Sequence, residues 1–329
     1  MIKTVADKIR QAQTILLTTH RQCDGDGLGS ELAIYHALVK MGKNVRVLNV
    51  DGTPKKYDFL SPESHIQYYD SEHDPIGEPE LAIIFDTNDR RLIEPLYETL
   101  EKACREIIFV DHHPVLNEGP APTENSLINI RAASTGELAY DIIKELGVEL
   151  DANIARALYT SIVFDTQLFR YVRNSAKSHE VVIELFKHEK NPTEVHRKLF
   201  GNFTAPKLKF IAQALSSVQF FEQEELAILH IRKQDLEEYN LDIDDSRDLI
   251  DMIMNIESVQ AAAVLREDAP ENYKLSLRSK GEFPILAIAE NFGGGGHHYA
   301  SGASITGDKQ DLQDKILEAM KKALNLSKA

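Results

Sequence analysis

The sequence predicts an α/β chain in which a first domain built on a parallel sheet is joined by a helical connector to a smaller α/β domain, with the active site in the cleft between them. Two observations carry that expectation. Short, nearly continuous apolar runs rich in β-branched and aromatic residues recur at 14–19, 81–85 and 107–110, as parallel strands covered on both faces do. A chain of 329 residues with 43% hydrophobic content also exceeds what one core usually holds, so separate compact units are expected.

The elements follow in order. Thr14 to Thr19 is the first strand. Residues 30–41 carry Leu32, Tyr35, His36 and Val39 at helical spacing, and Gly42 stands where a C-cap belongs. Residues 44–50 return as a strand, 81–85 and 107–110 supply two more, and 135–146 and 154–164 are amphipathic helices. The stretch 187–206 holds Asn191-Pro192 and Gly201-Asn202 among mixed charges, as a connector does, and passes into a helix over 207–217. The expected domains are therefore 1–185 and 218–329, linked by 186–217. In the second, Leu226 to Leu229 and Ala261 to Leu265 are apolar runs. Residues 274–279 alternate, setting Leu275 and Leu277 on one face and Lys274, Ser276 and Arg278 on the other.

Three of the early runs stop at acid or histidine: His20 after the first, Asp86 after the second, and Asp111-His112-His113 after the third. Asp165 ends the helix over 154–164, and Asp24 and Asp26 follow His20 closely. In an open α/β sheet, ligands collect beyond the carboxyl ends of the strands, so topology should gather these side chains. Four carboxylates, Asp24, Asp26, Asp86 and Asp165, would repel one another by several kcal/mol unless cations neutralise them, and two divalent ions balance four charges. A mixed set of histidine and carboxylate suits manganese or magnesium better than a thiolate-loving ion, with zinc and iron still compatible; manganese is preferred. Paired ions of this kind activate a water and stabilise charge on phosphorus oxygens. A single strand-end aspartate is as often a helix N-cap, and Asp-Gly-Asp-Gly is also a turn sequence. A calcium loop is excluded at 24, where Leu28 takes a ligand position, and at 242, where Arg247 replaces the required glycine and Ile253 the closing glutamate. The run 242–245 reads instead as a helix start.

The motifs His20-x-x-x-Asp24-Gly25-Asp26, Phe85-Asp86-Thr87, Val110-Asp111-His112-His113-Pro114 and Phe164-Asp165-Thr166 together resemble the four motifs of the DHH phosphoesterase superfamily. The resemblance implies that His20, Asp24 and Asp86 hold one ion and that Asp26, Asp86, His112 and Asp165 hold the other, with Asp86 bridging. It also implies that His113 faces the scissile phosphate while Asp111 orients a neighbouring histidine. Two positions depart from the pattern: Cys23 stands where proline is common, and Gly27 where alanine is common. Neither is a proposed ligand.

Near the far end, Phe292-Gly293-Gly294-Gly295-Gly296-His297-His298 precedes Ala300-Ser301-Gly302-Ala303. Successive glycines let a backbone approach a ligand, and their amides can form an anion nest; alternatively, Gly293 caps a helix over 285–291. The segment resembles the glycine-rich motif of the DHH-associated C-terminal domain, which implies contact with a nucleotide phosphate. Arg266, Ser276, Arg278, Gly294, Gly295, Gly296, His297 and His298 are the expected substrate-binding residues.

A net charge of −15 disfavours long nucleic acid, whose binding relies on releasing counterions from a basic surface. Short RNA oligonucleotides or nucleotides are the expected partners, not long duplexes, and a homodimer is admitted. Two cysteines point to a reducing compartment. The start Met-Ile-Lys-Thr-Val-Ala-Asp has no apolar signal core and no stretch approaches the roughly 20 residues that span a bilayer, so a cytoplasmic protein without membrane contact is expected. The resemblance, closest to the NrnA-like oligoribonuclease branch, implies a two-metal hydrolase. Its expected substrates are very short oligoribonucleotides, cleaved to mononucleotides, and 3′-phosphoadenosine 5′-phosphate. The alternatives are a pyrophosphatase, a cyclic or linear dinucleotide phosphodiesterase and, in another class, a non-catalytic nucleotide sensor.

Overall fold

The computed structural model describes residues 1–329 apart from 61–64, 71–75, 117–119, 174, 282 and 328–329. They form two compact units, residues 1–202 and 203–329, each with its own six-stranded sheet.

The first unit runs α1 (Ile2–Gln11), β1 (Thr14–Thr19), α2 (Gly25–Lys40), β2 (Asn44–Asn49), β3 (Ile66–Tyr68), β4 (Leu81–Phe85), α3 (Leu96–Ala103), β5 (Ile107–Asp111), β6 (Leu127–Ile128), α4 (Thr135–Leu146), α5 (Ala152–Asp165), α6 (Lys177–Leu185) and α7 (Pro192–Phe200). Every pairing in the order β3-β2-β1-β4-β5-β6 is parallel. The apolar runs are continuous because both faces are covered: Ile15, Leu17, Ile83, Phe85, Ile108 and Val110 enter one core with residues of α1, α2, α4 and α5, while Leu16, Ala82, Ile84 and Phe109 enter another with Leu96 and Leu100 of α3. In register, Thr19 pairs with Phe85 and Phe85 with Val110, so the residues that follow these strands emerge side by side.

Helix α2 begins five residues before the expected Ser30. Asp24 caps it, its side chain accepting from the Asp26 amide, and the Asp-Gly-Asp-Gly sequence that reads as a turn is the first helical turn. Gly27 is fully buried there, and a Cβ at that position would lie 2.2 Å from Thr19 Oγ1. Thr19 Oγ1 donates to the Phe85 carbonyl at 3.0 Å, so glycine at 27 leaves room for a bond that ties β1 to β4 next to Asp86.

The segment 186–217, expected as a connector, is shared between the units. Val195 and Leu199 of α7 lie in the first unit's core, and α8 (Ala205–Leu215) places Phe210, Ile211 and Ala214 in a core of the second. The second unit continues with β7 (Gln219–Phe221), β8 (Leu226–Ile231), α9 (Lys233–Glu238), α10 (Asp248–Met254), β9 (Ala261–Ala269), β10 (Asn272–Ser279), α11 (Leu286–Asn291), β11 (Gly295–His297), β12 (Ala300–Thr306) and α12 (Lys309–Ser327). Its sheet, in the order β11-β12-β10-β9-β8-β7, is antiparallel except for the parallel pair β8–β9. Leu275 and Leu277 face a core with Ile285, Ile288 and Ile316. No helix among the described residues is long and apolar enough to cross a membrane.

Candidate active site

His20 follows β1, Asp86 follows β4, Asp111 closes β5 with His112 and His113 behind it, Asp24 and Asp26 open α2, and Asp165 is the last residue of α5. The carboxyl edge of the sheet brings them together. Nε2 of His20 stands 3.5 Å from Asp86 Oδ2 and 4.0 Å from Asp24 Oδ1. Nε2 of His112 stands 3.4 Å from Asp26 Oδ2, 3.5 Å from Asp86 Oδ1 and 3.5 Å from Asp165 Oδ2. Asp86 thus turns one oxygen to each histidine. His20, Asp24 and Asp86 make one group able to hold an ion, and Asp26, His112 and Asp165 another.

The surroundings orient these atoms. His112 Nδ1 lies 3.2 Å from the Ala132 carbonyl and His20 Nδ1 2.8 Å from the Arg21 carbonyl, which leaves each Nε2 turned toward the carboxylates. Asp26 accepts from the Thr135 amide at 2.8 Å, the Gly136 amide at 3.2 Å and the Ser161 hydroxyl, so the positive end of α4 points at it. Thr135 Oγ1 donates to Asp86 Oδ1 at 3.0 Å. Asp111 accepts from the His112 and His113 amides and from Asn88 Nδ2, and its Oδ1 lies 2.8 Å from His113 Nδ1. Asp86 itself has φ 60°, a left-handed conformation that costs a non-glycine residue about 1–2 kcal/mol.

Charge is the unusual feature. Burial, then the neighbouring Asp165, pushes Asp26 up to about 8. Burial followed by Asp26 and Asp24 raises Asp86 well above the carboxylate range. Burial, reinforced by His113, takes His112 down to about 3, leaving a neutral imidazole of the kind that binds metals. Burial opposes a charge on His113, yet Asp111 carries it up to about 9; Asp111 in turn lies below its ordinary value, because His113 outweighs the effect of burial. Asp165 is the last residue of α5 and faces Asp26 across His112.

Divalent cations fit this set. Two ligands each about 2.1 Å from a shared ion stand about 3.0–3.4 Å apart, and the three separations around His112 Nε2 run from 3.4 to 3.5 Å. Bound ions would also offset the burial and mutual repulsion that raise Asp26 and Asp86.

The second unit holds the remaining expected residues. Ser276 and Arg278 lie on the face of β10 opposite Leu275 and Leu277, with Arg278 Nε 3.7 Å from Asp251. Arg266 is engaged otherwise than expected: its guanidinium donates to both oxygens of Asp268 and to the Ile243 carbonyl, bonds that leave it a structural cation. Two of the amides expected in the anion nest are engaged within the unit. The Gly293 and Gly294 amides donate to Glu290 and Ala289 carbonyls and so close α11, and Gly295 to His297 form β11 against β12. Glycine is demanded by packing, since a Cβ at Gly294 would lie 2.0 Å from the Gly302 carbonyl oxygen. His297 is half-buried and His298 exposed. Lys274, on the same face as Ser276 and Arg278, is paired in register with Arg266, and burial, with Arg266 and Arg247 nearby, pulls its ammonium below the usual range.

Sequence reasoning passed over Thr135, Ser161 and Asn88. The one local signal was Ser134 three residues before Glu137, a capping sequence that marks the helix end aimed at Asp26.

Comparison with known proteins agrees with this architecture. The model of the DHH family N-terminal domain matches residues 14–162, and that of the DHHA1 domain matches residues 225–326. The bifunctional oligoribonuclease and PAP phosphatase NrnA of Thermus thermophilus is 29% identical over 327 residues, covering 98% of this chain and 94% of that protein. The protein of the same name from Bacillus subtilis is 28% identical, with 92% of each covered. The crystal structure of an exopolyphosphatase-related protein from Bacteroides fragilis superposes with a TM-score of 0.88 at 24% identity, covering 100% of this chain and 97% of that one.

Proposed function

We infer the reaction from the premise that this chain belongs to the DHH family and carries a DHHA1 domain, which makes it a phosphoester hydrolase. Its substrates in this reading are very short oligoribonucleotides, cleaved to mononucleotides, and 3′-phosphoadenosine 5′-phosphate. Relatives bearing the name bifunctional oligoribonuclease and PAP phosphatase along nearly the full chain support it. The observation that carries the chemistry is the divided carboxylate of Asp86, whose oxygens each lie 3.5 Å from a different histidine.

In this reading His20, Asp24 and Asp86 would hold one divalent ion and Asp26, Asp86, His112 and Asp165 the other, preferably manganese because oxygen ligands dominate the set. Such a pair would supply activation of a water at neutral pH and positive charge against the phosphorus oxygens. The protein's own groups do the rest. Thr135 and the α4 amides fix Asp86 and Asp26, so the ligand set is formed in advance. His113, kept protonated by Asp111, donates a proton to the leaving oxygen through Nε2, since its Nδ1 faces Asp111. Ser276, Arg278, His297 and His298 hold the nucleotide end. The net charge of −15 favours substrates with few phosphates over long duplexes, and a chain with two cysteines suits the cytoplasm.

The test is a manganese-supplemented panel of di- to pentanucleotides, 3′-phosphoadenosine 5′-phosphate, cyclic dinucleotides and pyrophosphate, compared by kcat/KM. Preference for the shortest linear RNAs and the bisphosphate is expected. Preference for pyrophosphate or a cyclic dinucleotide would replace this reading.

A further inference from the structure

The turn that leaves Asp165 has an unusual backbone. Gln167, Leu168 and Phe169 have φ of 46°, 60° and 66°, and Arg173 has 51°, so four non-glycine residues within seven adopt the left-handed conformation. Strain of this kind persists only where the surroundings over-determine it, and it clusters at ligand clamps. Here buried Thr166 fastens the turn. Its hydroxyl donates to the Ile162 carbonyl at 2.6 Å and accepts from the Phe169 amide at 3.1 Å, while the Leu168 amide donates to the Val163 carbonyl and the Tyr171 amide to the Thr166 carbonyl, each at 3.0 Å.

The consequence is a sorting of side chains. Phe169 turns inward, packing on the core and lying 5.1 Å from the His179 ring, whereas Arg170, Tyr171 and Arg173 are exposed. Tyr171 keeps 53% of its surface in solvent although the Arg170 guanidinium lies 5.6 Å from its ring centroid. An exposed aromatic ring paired with a cation is what single-stranded nucleotide sites use to stack a base. Arg173 Nη1 donates to the Ile130 carbonyl at 3.0 Å, two residues before the carbonyl that orients His112. That short stretch of backbone ties the Arg173 guanidinium to the segment that orients His112, so it is a cation beside the acidic centre.

We propose that the turn Thr166–Arg173 is the catalytic unit's own grip on the substrate, in which the Tyr171 ring, paired with Arg170, stacks a nucleobase and Arg173 takes a phosphate beside the reacting one. This rests on the nucleotide reading above and adds residues that the four metal motifs do not contain. The chain thereby measures a base as well as a phosphoester on the same unit that carries the metal ligands.

The test is calorimetric binding of AMP and of ribose 5-phosphate to the full chain, which carry the same phosphate and differ in the base. Tyr171→Ala should raise the Kd for AMP about ten-fold and leave that for ribose 5-phosphate unchanged, with Tyr171→Phe close to the parent. Arg173→Gln should weaken both ligands alike. Unchanged AMP affinity in Tyr171→Ala, or an equal loss for the two ligands with a lowered Tm, would overturn the grip. Because the readout is binding, failure of the parent to cleave dinucleotides would sink the substrate reading and leave this result standing on its own.

Discussion

Gly27 and Thr19 share one small space: a Cβ at 27 would come within 2.2 Å of the hydroxyl that Thr19 gives to the Phe85 carbonyl. Alanine therefore does not fit here while Thr19 is present. Gly27→Ala should cost about 1–3 kcal/mol through overpacking. Adding Thr19→Ala should return part of that loss, so the two changes will be non-additive in thermal unfolding. A single Gly27→Ala variant as stable as the parent would refute the fit.

Asp26 makes the metal-free protein pH-sensitive. Its folded pKa of about 8 lies above the ordinary 3.8. Below the ordinary value both folded and unfolded chains hold the proton and nothing is lost. As pH rises toward 8 the unfolded chain releases a proton that the folded chain keeps, and stability falls by about 1.4 kcal/mol per pH unit. Asp26→Asn in chelator should therefore raise Tm at pH 8 and leave it unchanged near pH 4. With manganese in excess the order should reverse, because the parent gains more from binding.

Asp111 reaches the chemistry only through His113. Asp111→Asn should lower kcat by roughly ten- to a hundred-fold. A proton donor loses activity as pH rises through its pKa, and without Asp111 that pKa drops from about 9. The alkaline limb of the kcat profile should accordingly move to lower pH; a limb that stays in place would assign the proton elsewhere.

Replacing Asp86 by Ala should abolish manganese-dependent hydrolysis while far-UV circular dichroism stays unchanged. Measurable turnover of a dinucleotide in that variant would remove the two-ion mechanism.

Arg278→Ala should act on binding, raising KM about ten-fold with kcat nearly intact, the pattern of a lost contact made equally in ground and transition states. If instead the variant slowed a phosphodiester that carries no base, Arg278 would belong to the reacting centre.

Local order was written in the sequence by itself. The β-branched runs at 14–19, 81–85 and 107–110 read as strands buried on both faces, and if parallel they place the residues just beyond them at one edge, as the sheet does. Helix starts were less legible: Asp24-Gly25-Asp26-Gly27 has the composition of a turn and becomes helix because Asp24 caps it and its glycines pack closely on Thr19 and Phe164. What only the tertiary structure decided is who holds whom. Asp26 meets the Thr135 amide across 109 residues and the Ser161 hydroxyl across 135, while Arg266 and the first two glycines of the Gly293–Gly296 run turn to internal partners. Periodicity reports which face of an element is buried, whereas a hydrogen bond depends on positions fixed to within a fraction of an ångström by the packing of the whole unit.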